Sequence, residues 1–315
     1  MILALAGGVG GARLARGLAA TLSSDDLVIV VNVGDDFEHL GLAISPDIDT
    51  VMYSVSGLAN SDTGWGRADE TWNFMQALSD LGGETWFRLG DKDLAVHVER
   101  TRRLRAGDAL SAITADFCAR LGIGHAVLPV TDAELRTRVL TDTAELAFQD
   151  YFVRQRCGPS VRGFRFAGAE AARPSVPLAN LLASGKVEGV IICPSNPWLS
   201  IAPILSVSAL SDFLLSARVP VVAVSPIVGG AAIKGPAAKI MNELGLPVSA
   251  LGVVHHYGSL VDGWVLDTVD AAIEPDVVAT GCKVLFADTL MTSLAKATDV
   301  ARAAIDLLGR LKGGR

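Results

Sequence analysis

Cysteine is scarce. Only Cys118, Cys157, Cys193 and Cys282 occur in 315 residues, none at CxxC or CxH spacing, so neither a zinc site nor a dithiol redox motif is expected and buried reduced thiols are the default. Long apolar runs are missing as well: Pro220, Pro226 and Gly229-Gly230 interrupt the most hydrophobic region well short of the ~20 residues that span a bilayer. No positively charged leader precedes the first apolar run, which meets glycines after six residues, so Met1–Ala6 reads as a first strand and the expected location is the cytoplasm. Positive charge is also in deficit. With 27 basic against 34 acidic residues and a formal charge of -7, the chain would repel a polyanion, and neither nucleic acid nor membrane is an expected partner. No internal repeat, low-complexity tract or clear linker stands out, and the stretch 173–177 is only a weak candidate boundary.

What is present is a large apolar fraction, half of all residues, enough to bury the core of one α/β domain over 1–315. The runs Ile2–Ala6, Leu27–Asn32, Val187–Cys193 and Pro220–Ser225 are continuous instead of alternating, as in parallel strands covered on both faces. Helical patterns at Ala12–Leu22, Asp69–Leu81, Ala109–Leu121 and Ser208–Ala217 lie between or beyond them, which predicts a doubly wound, mainly parallel Rossmann-like sheet. Residues 55–165, richer in charge, are expected to form a largely helical insertion or cap.

Four loops carry candidate chemistry. Gly7-Gly8-Val9-Gly10-Gly11 joins the first strand to the first helix, where backbone N–H groups can approach a phosphate; Gly8, Gly10 and Gly11 are the binding candidates. The spacing fits neither GxGxxG nor a Walker loop, and the second strand ends in Asn32 where a dinucleotide enzyme usually has an acid. Next come Asp35, Asp36, Asp47 and Asp49, four carboxylates within fifteen residues. Ser45 and Pro46 read as N-cap and first residue of a helix, which gives Asp47 a dipole-favoured first-turn place. Capping does not account for the other acids. Oxygen ligands in this number suit Mg²⁺, and Asp49 and then Asp36 are the metal and catalytic candidates, with Asp47 and Thr50 placed to touch substrate. The third loop offers Ser195, Asn196, Pro197 and Ser200 at a strand's carboxyl end, and the fourth offers Gly229, Gly230 and Lys234, with Lys239 one turn further.

Other conspicuous residues have plainer readings. His255 and His256 are adjacent and on a strand would face opposite ways, and the run Arg100, Arg102, Arg103, Arg105 reads as a solvated helix face. Trp65, Trp72 and Trp86 could stack on a flat heterocycle, although core packing is the commoner use of a tryptophan.

Taken in order, GGVGGARL at 7–14, GLAISPDIDT at 41–50, LGDKDLAVHVERTRRLRAG at 89–107, PSNPWLSIAPIL at 194–205, PIVGGAAIKGPAAKIM at 226–241 and ADTLMT at 287–292 closely resemble the 2-phospho-L-lactate transferase family over nearly the whole chain. That resemblance implies transfer of a phospho-organic-acid group from its guanosine diphosphate conjugate to the ribityl hydroxyl of a deazaflavin precursor. GMP would be released, with Mg²⁺ present, in biosynthesis of the deazaflavin coenzyme F-420. The acid itself stays open among phospholactate, phosphoenolpyruvate and phosphoglycerate, and a homodimer is expected. A sister group of nucleotide-sugar-binding regulators shares the glycine loop but has a DDGGSSG-type segment where this chain continues from Asp35-Asp36 into Phe37-Glu38-His39-Leu40-Gly41. The helical segment around 55–100, with its tryptophans, is expected to wall the acceptor pocket.

Overall fold

Ile2–Ala6 is apolar and buried at every position, and so are Leu27–Val31, Gly189–Ile192 and Val221–Val224. Such runs have no face to offer to water, so the strands must lie inside a sheet with layers on both sides. The computed structural model, which describes residues 1–60, 63–216 and 219–313, places them there. Seven parallel strands, β1 (Ile2–Ala6), β2 (Leu27–Val31), β3 (Ala126–Pro129), β4 (Gly189–Ile192), β5 (Val221–Val224), β6 (Gly263–Asp267) and β7 (Lys283–Ala287), run in the order 7-6-5-4-1-2-3. The chain therefore starts in mid-sheet, builds outward to one side through β2 and β3, and returns to build outward through β4. β1 and β4 are neighbours whose following loops leave in different directions, which opens a crevice at their carboxyl ends. This is the doubly wound, Rossmann-like arrangement expected from the sequence.

Two helices fix the crevice walls: α1 (Gly8–Ala19) follows β1, and α2 (Pro46–Ser56) follows the loop after β2. The insertion differs from its expectation. It holds α3 (Asn73–Asp80), α4 (Asp91–Arg105) and α5 (Leu110–Arg120), but its second half supplies β3 to the main sheet. It also forms an antiparallel sheet in which Arg136–Thr141 pairs with Glu145–Ala147 and Val161–Ala167. Thr137 and Val139 are buried while Arg136 and Arg138, which alternate with them, are partly exposed, a period of two masked in the sequence by its charge. The candidate boundary at 173–177 is no boundary, since the Ser175 hydroxyl donates to the Pro129 carbonyl at 2.8 Å and its N–H to Val130. His255 and His256 close the helix Ala250–Tyr257 and are not on a strand. The pattern at Ser208–Ala217 is a helix over Ser208–Ser216, and Ala217 lies outside the described residues. Among the described residues no single helix is long and apolar enough to cross a membrane.

α1 is gripped from both sides. Ser54 of α2 donates its hydroxyl to Ala12 O, and on the other flank Gly17 meets the helix Leu294–Lys312 so closely that a methyl group there would strike the Ala297 carbonyl and lie 3.1 Å from Thr298 N. Gly17→Ala should therefore destabilise the protein by about 1–3 kcal/mol through overpacking, although alanine is the better helix former. Urea unfolding checks this: an unchanged or higher midpoint would mean that the two helices can part without loss.

Candidate active site

A cavity of about 570 Å³, within the usual range for small-molecule sites, opens at the carboxyl ends of β1, β2 and β4. Its floor begins at the glycine loop. The Gly7 N–H donates to Ser195 Oγ at 3.1 Å, and the Gly8 N–H, at a positive φ of 60°, donates to Asp47 Oδ1 at 2.7 Å. Two donors of the loop are thus taken by the protein itself, while the first-turn N–H groups of Val9 and Gly10, which border the cavity, have no acceptor within the helix. The glycines are also needed for contact: a Cβ at Gly10 would strike the Pro194 carbonyl, and one at Gly11 would strike Ser195 Oγ. Absent side chains let the loops after β1 and β4 touch across the crevice.

The second wall hangs on Asn32, a residue the sequence marked only by what it is not. Its amide nitrogen lies 3.0 Å from Asp35 Oδ1, 2.9 Å from Asp47 Oδ2 and 3.3 Å from Leu199 O, while its own oxygen accepts from Gly34 N–H at 2.7 Å. An acid here would add a third charge to two carboxylates; an amide spans them. Asp35, Asp47 and Asp49 border the cavity, as does Thr50. Asp36 does not. It is buried behind them, accepts from the Ser45 hydroxyl at 2.8 Å, and its Oδ1 has no hydrogen-bond partner among the described residues. Ser45 thus spends its side chain on Asp36 and not on capping α2, although Pro46 does open that helix.

Asp49 differs from the reading of a free carboxylate. Both of its oxygens accept from Arg100, at 3.1 Å from Nη1 to Oδ2 and in a short contact from Nη2 to Oδ1. Arg100 is 1% exposed, whereas Arg102 and Arg103 pair with Glu99 and Asp108 at the surface. The basic run therefore splits by helical phase: Asp93, His97 and Arg100 share the face of α4 that meets Asp49 and Tyr53 of α2. The Tyr53 hydroxyl donates to Asp93 at 2.6 Å, and His97 lies between Asp93, 3.3 Å away, and Asp49, 3.7 Å away.

Burial dominates the electrostatics. It pushes Asp35 well above the usual carboxylate range, with Asp47 beside it adding to the rise, and lifts Asp47 to about 6 and Asp36 to about 7. Asp49 is raised by burial too, even against the Arg100 charge. At Asp93 burial acts the same way, but His97 and the Tyr53 hydroxyl outweigh it and hold the group below its ordinary value.

The remaining candidates divide. Ser195, Asn196, Ser200 and Lys234 border the cavity, while Gly11, Pro197, Gly229 and Gly230 do not. Asn196 Oδ1 caps the turn that follows, accepting from Trp198 and Leu199 N–H, and leaves its Nδ2 buried with no partner among the described residues. Gly229 and Gly230 form the positive-φ turn of a small hairpin, Ile227–Val228 with Ala231–Ala232. The Lys234 ammonium donates to Thr63 O at 3.1 Å. Lys239 serves the fold, bonded to Glu243 at 2.6 Å and Pro159 O at 3.0 Å. The roof is aromatic. Trp65 and Trp86 border the cavity with Phe87, and Phe148 and Phe152, stacked at 5.3 Å, join them from the second half of the insertion. Trp72 instead lies under the Arg88 guanidinium, 4.0 Å from its ring.

A parallel sheet of this order, with a large cavity at the reversal of strand order, defines a Rossmann-like α/β protein with its candidate site at the switch point. Residues 2–293 match the family model described as 2-phospho-L-lactate transferase CofD, and the chain belongs to that family. A phosphoenolpyruvate transferase of Streptomyces griseus is 40% identical over 312 residues, 97% of this chain and 98% of that protein. A 2-phospho-L-lactate transferase of Methanosarcina acetivorans is 37% identical over 306 residues, again 97% and 98% of the two chains. Among solved structures, a member of the UPF0052 family from Bacillus halodurans superposes with a TM-score of 0.61 at 13% identity, over 96% of this chain and 98% of that one, a likeness of fold alone. The chain is accordingly an enzyme of the transferase class.

The charge state of Asp36 makes a pH prediction. A carboxyl whose folded pKa is raised stabilises the fold fully below its ordinary value of 3.8 and loses that contribution as pH climbs through about 7. In metal-free buffer Asp36→Asn should therefore gain on the wild type between pH 4 and pH 8, up to a few kcal/mol. Thermal midpoints of both proteins across that interval test it, and a difference that does not change with pH would show that Asp36 is not forced to ionise in the folded state.

Proposed function

We propose that the enzyme transfers a phospho-organic-acid group, 2-phospho-L-lactate or its phosphoenolpyruvate or 3-phosphoglycerate equivalent, from its guanosine diphosphate conjugate to the ribityl hydroxyl of 7,8-didemethyl-8-hydroxy-5-deazariboflavin. GMP leaves, and the product belongs to coenzyme F-420 biosynthesis in the cytoplasm. The observation that carries this reading is that one cavity joins a polar floor of glycine N–H groups, carboxylates and an unsatisfied amide to an aromatic roof. Such a floor suits a diphosphate and such a roof a planar heterocycle. The printed names of the relatives supply the acids. A nucleotide-sugar-binding regulator on the same fold would have no use for the roof, which favours the transferase.

In this reaction an acceptor oxygen forms a bond to the phosphorus bearing the acid as the bond to the guanylate oxygen breaks, so positioning and charge balance matter more than a covalent nucleophile. Asn196 Nδ2, which has no partner among the described residues, would donate to the donor, and Lys234 would exchange Thr63 O for a phosphate oxygen. The donor set fits Mg²⁺: oxygen ligands only, on carboxylates whose pKa values burial raises and no cation offsets. Asp35 and Asp47 border the cavity without a cation beside them and would hold the ion; Asp49, the first choice from the sequence, borders the cavity too but has both oxygens on Arg100, and Asp36, chosen with it, would support them from behind. When bound, Mg²⁺ supplies neutralisation of the diphosphate charge.

Two experiments bear on this. Mass spectrometry after offering the deazaflavin with the guanylylated form of each acid should show one adduct mass formed together with GMP, and no adduct with any acid would refute the transfer. For the acids in the floor, Asp35→Asn should fold normally and need more Mg²⁺ for half-maximal turnover. Asp49→Asn, by contrast, leaves Arg100 buried without its partner and should cost about 3–5 kcal/mol of stability. A stable Asp49→Asn protein would mean that the guanidinium finds another anion.

A further inference from the structure

The cavity is bordered by three fully basic side chains, Arg13, Arg88 and Lys234, and two of them are occupied. Arg88 lies over the Trp72 ring and Lys234 donates to Thr63 O. Arg13 has no hydrogen bond, ion pair or ring contact among the described residues, although it is only partly exposed. Nor does it serve the acid cluster, where Arg100 and Arg136 are the arginines that act on Asp36 and Arg100 the one that acts on Asp49. A half-buried guanidinium gives up part of its hydration, and nothing in the protein replaces it.

Its position indicates what does. Arg13 follows Val9 by four residues on α1, one turn further along the same face. A methyl group on Gly64 would lie 2.9 Å from Val9 Cγ1 and 2.8 Å from Lys234 Nζ, so the lysine ammonium sits beside that first turn as well. Arg13, the first-turn N–H groups of Val9 and Gly10, and Lys234 thus all border the cavity, and among the described residues none of them is bonded to a carboxylate. We infer that Arg13 is a donor-binding residue whose guanidinium grips the diphosphate of the nucleotide conjugate in bidentate fashion. A planar fork matches phosphate oxygens, and a cation whose long side chain starts one turn into α1 adds to the field at that helix's N-terminus. The assignment rests on the transferase reading for the identity of the nucleotide, but not for the anion.

Calorimetric titration of pyrophosphate and of GDP into the wild type, Arg13→Lys and Arg13→Gln at fixed Mg²⁺ separates the two. Arg13→Gln should weaken both ligands about tenfold or more, Arg13→Lys less, with thermal midpoints equal to that of the wild type. Equal affinities in all three proteins would overturn the role of Arg13, as would a wild type that binds neither ligand. If pyrophosphate binding is lost in Arg13→Gln while GDP binds no more tightly than pyrophosphate to the wild type, Arg13 keeps its role and the guanosine part of the functional reading fails.

Discussion

Two buried carboxylates are held in register by one amide. Asn32 leaves the end of β2 and presents its nitrogen to Asp35 on its own loop and to Asp47 at the start of α2, while Asp47 reaches on to the Gly8 N–H of the neighbouring unit. The loop after β1, the loop after β2 and the head of α2 are thereby tied at one point, and through Leu199 O the loop after β4 joins them. An amide donates to both acids without adding charge. Burial raises the pKa of each acid, and no cation stands beside them to offset it.

Beside this knot lies a second polar seam of opposite character. Where α2 meets α4, every buried charge has an answering group: Asp49 with Arg100, and Asp93 with the Tyr53 hydroxyl and His97. The carboxylates on one side of the cavity therefore face cations, while those on the other face only an amide and backbone N–H groups. Low dielectric makes the paired side rigid and the unpaired side receptive to a cation, since the same burial that strengthens a satisfied contact penalises an open one.

The legible parts of the sequence were those where local pattern and final environment coincide. β1, β2, β4 and β5 are buried on both faces and so are apolar throughout, and the glycine loop announces a tight passage from strand to helix. The antiparallel sheet was hidden because Arg136, Arg138 and Arg165 alternate with its buried or half-buried positions, and charge drew the reading toward helix. Arg100 was hidden among exposed arginines for a related reason: composition does not resolve helical phase, and only the facing Asp49 shows which of the four points inward. Asn32 drew notice merely as the residue standing in an acid's usual place. Gly229 and Gly230 were conspicuous by type, yet the turn they make bends the chain beside the cavity without forming its wall.

The floor and the roof come from different stretches of chain. The acid wall is written in one stretch between residues 32 and 49, whereas the roof is assembled from Trp65, Trp86, Phe87, Phe148 and Phe152, scattered through the insertion. Changes of volume in those rings leave the knot at Asn32 untouched. The aromatic end of the cavity can therefore change shape while the polar end keeps its geometry, which makes the insertion the natural place to redirect specificity.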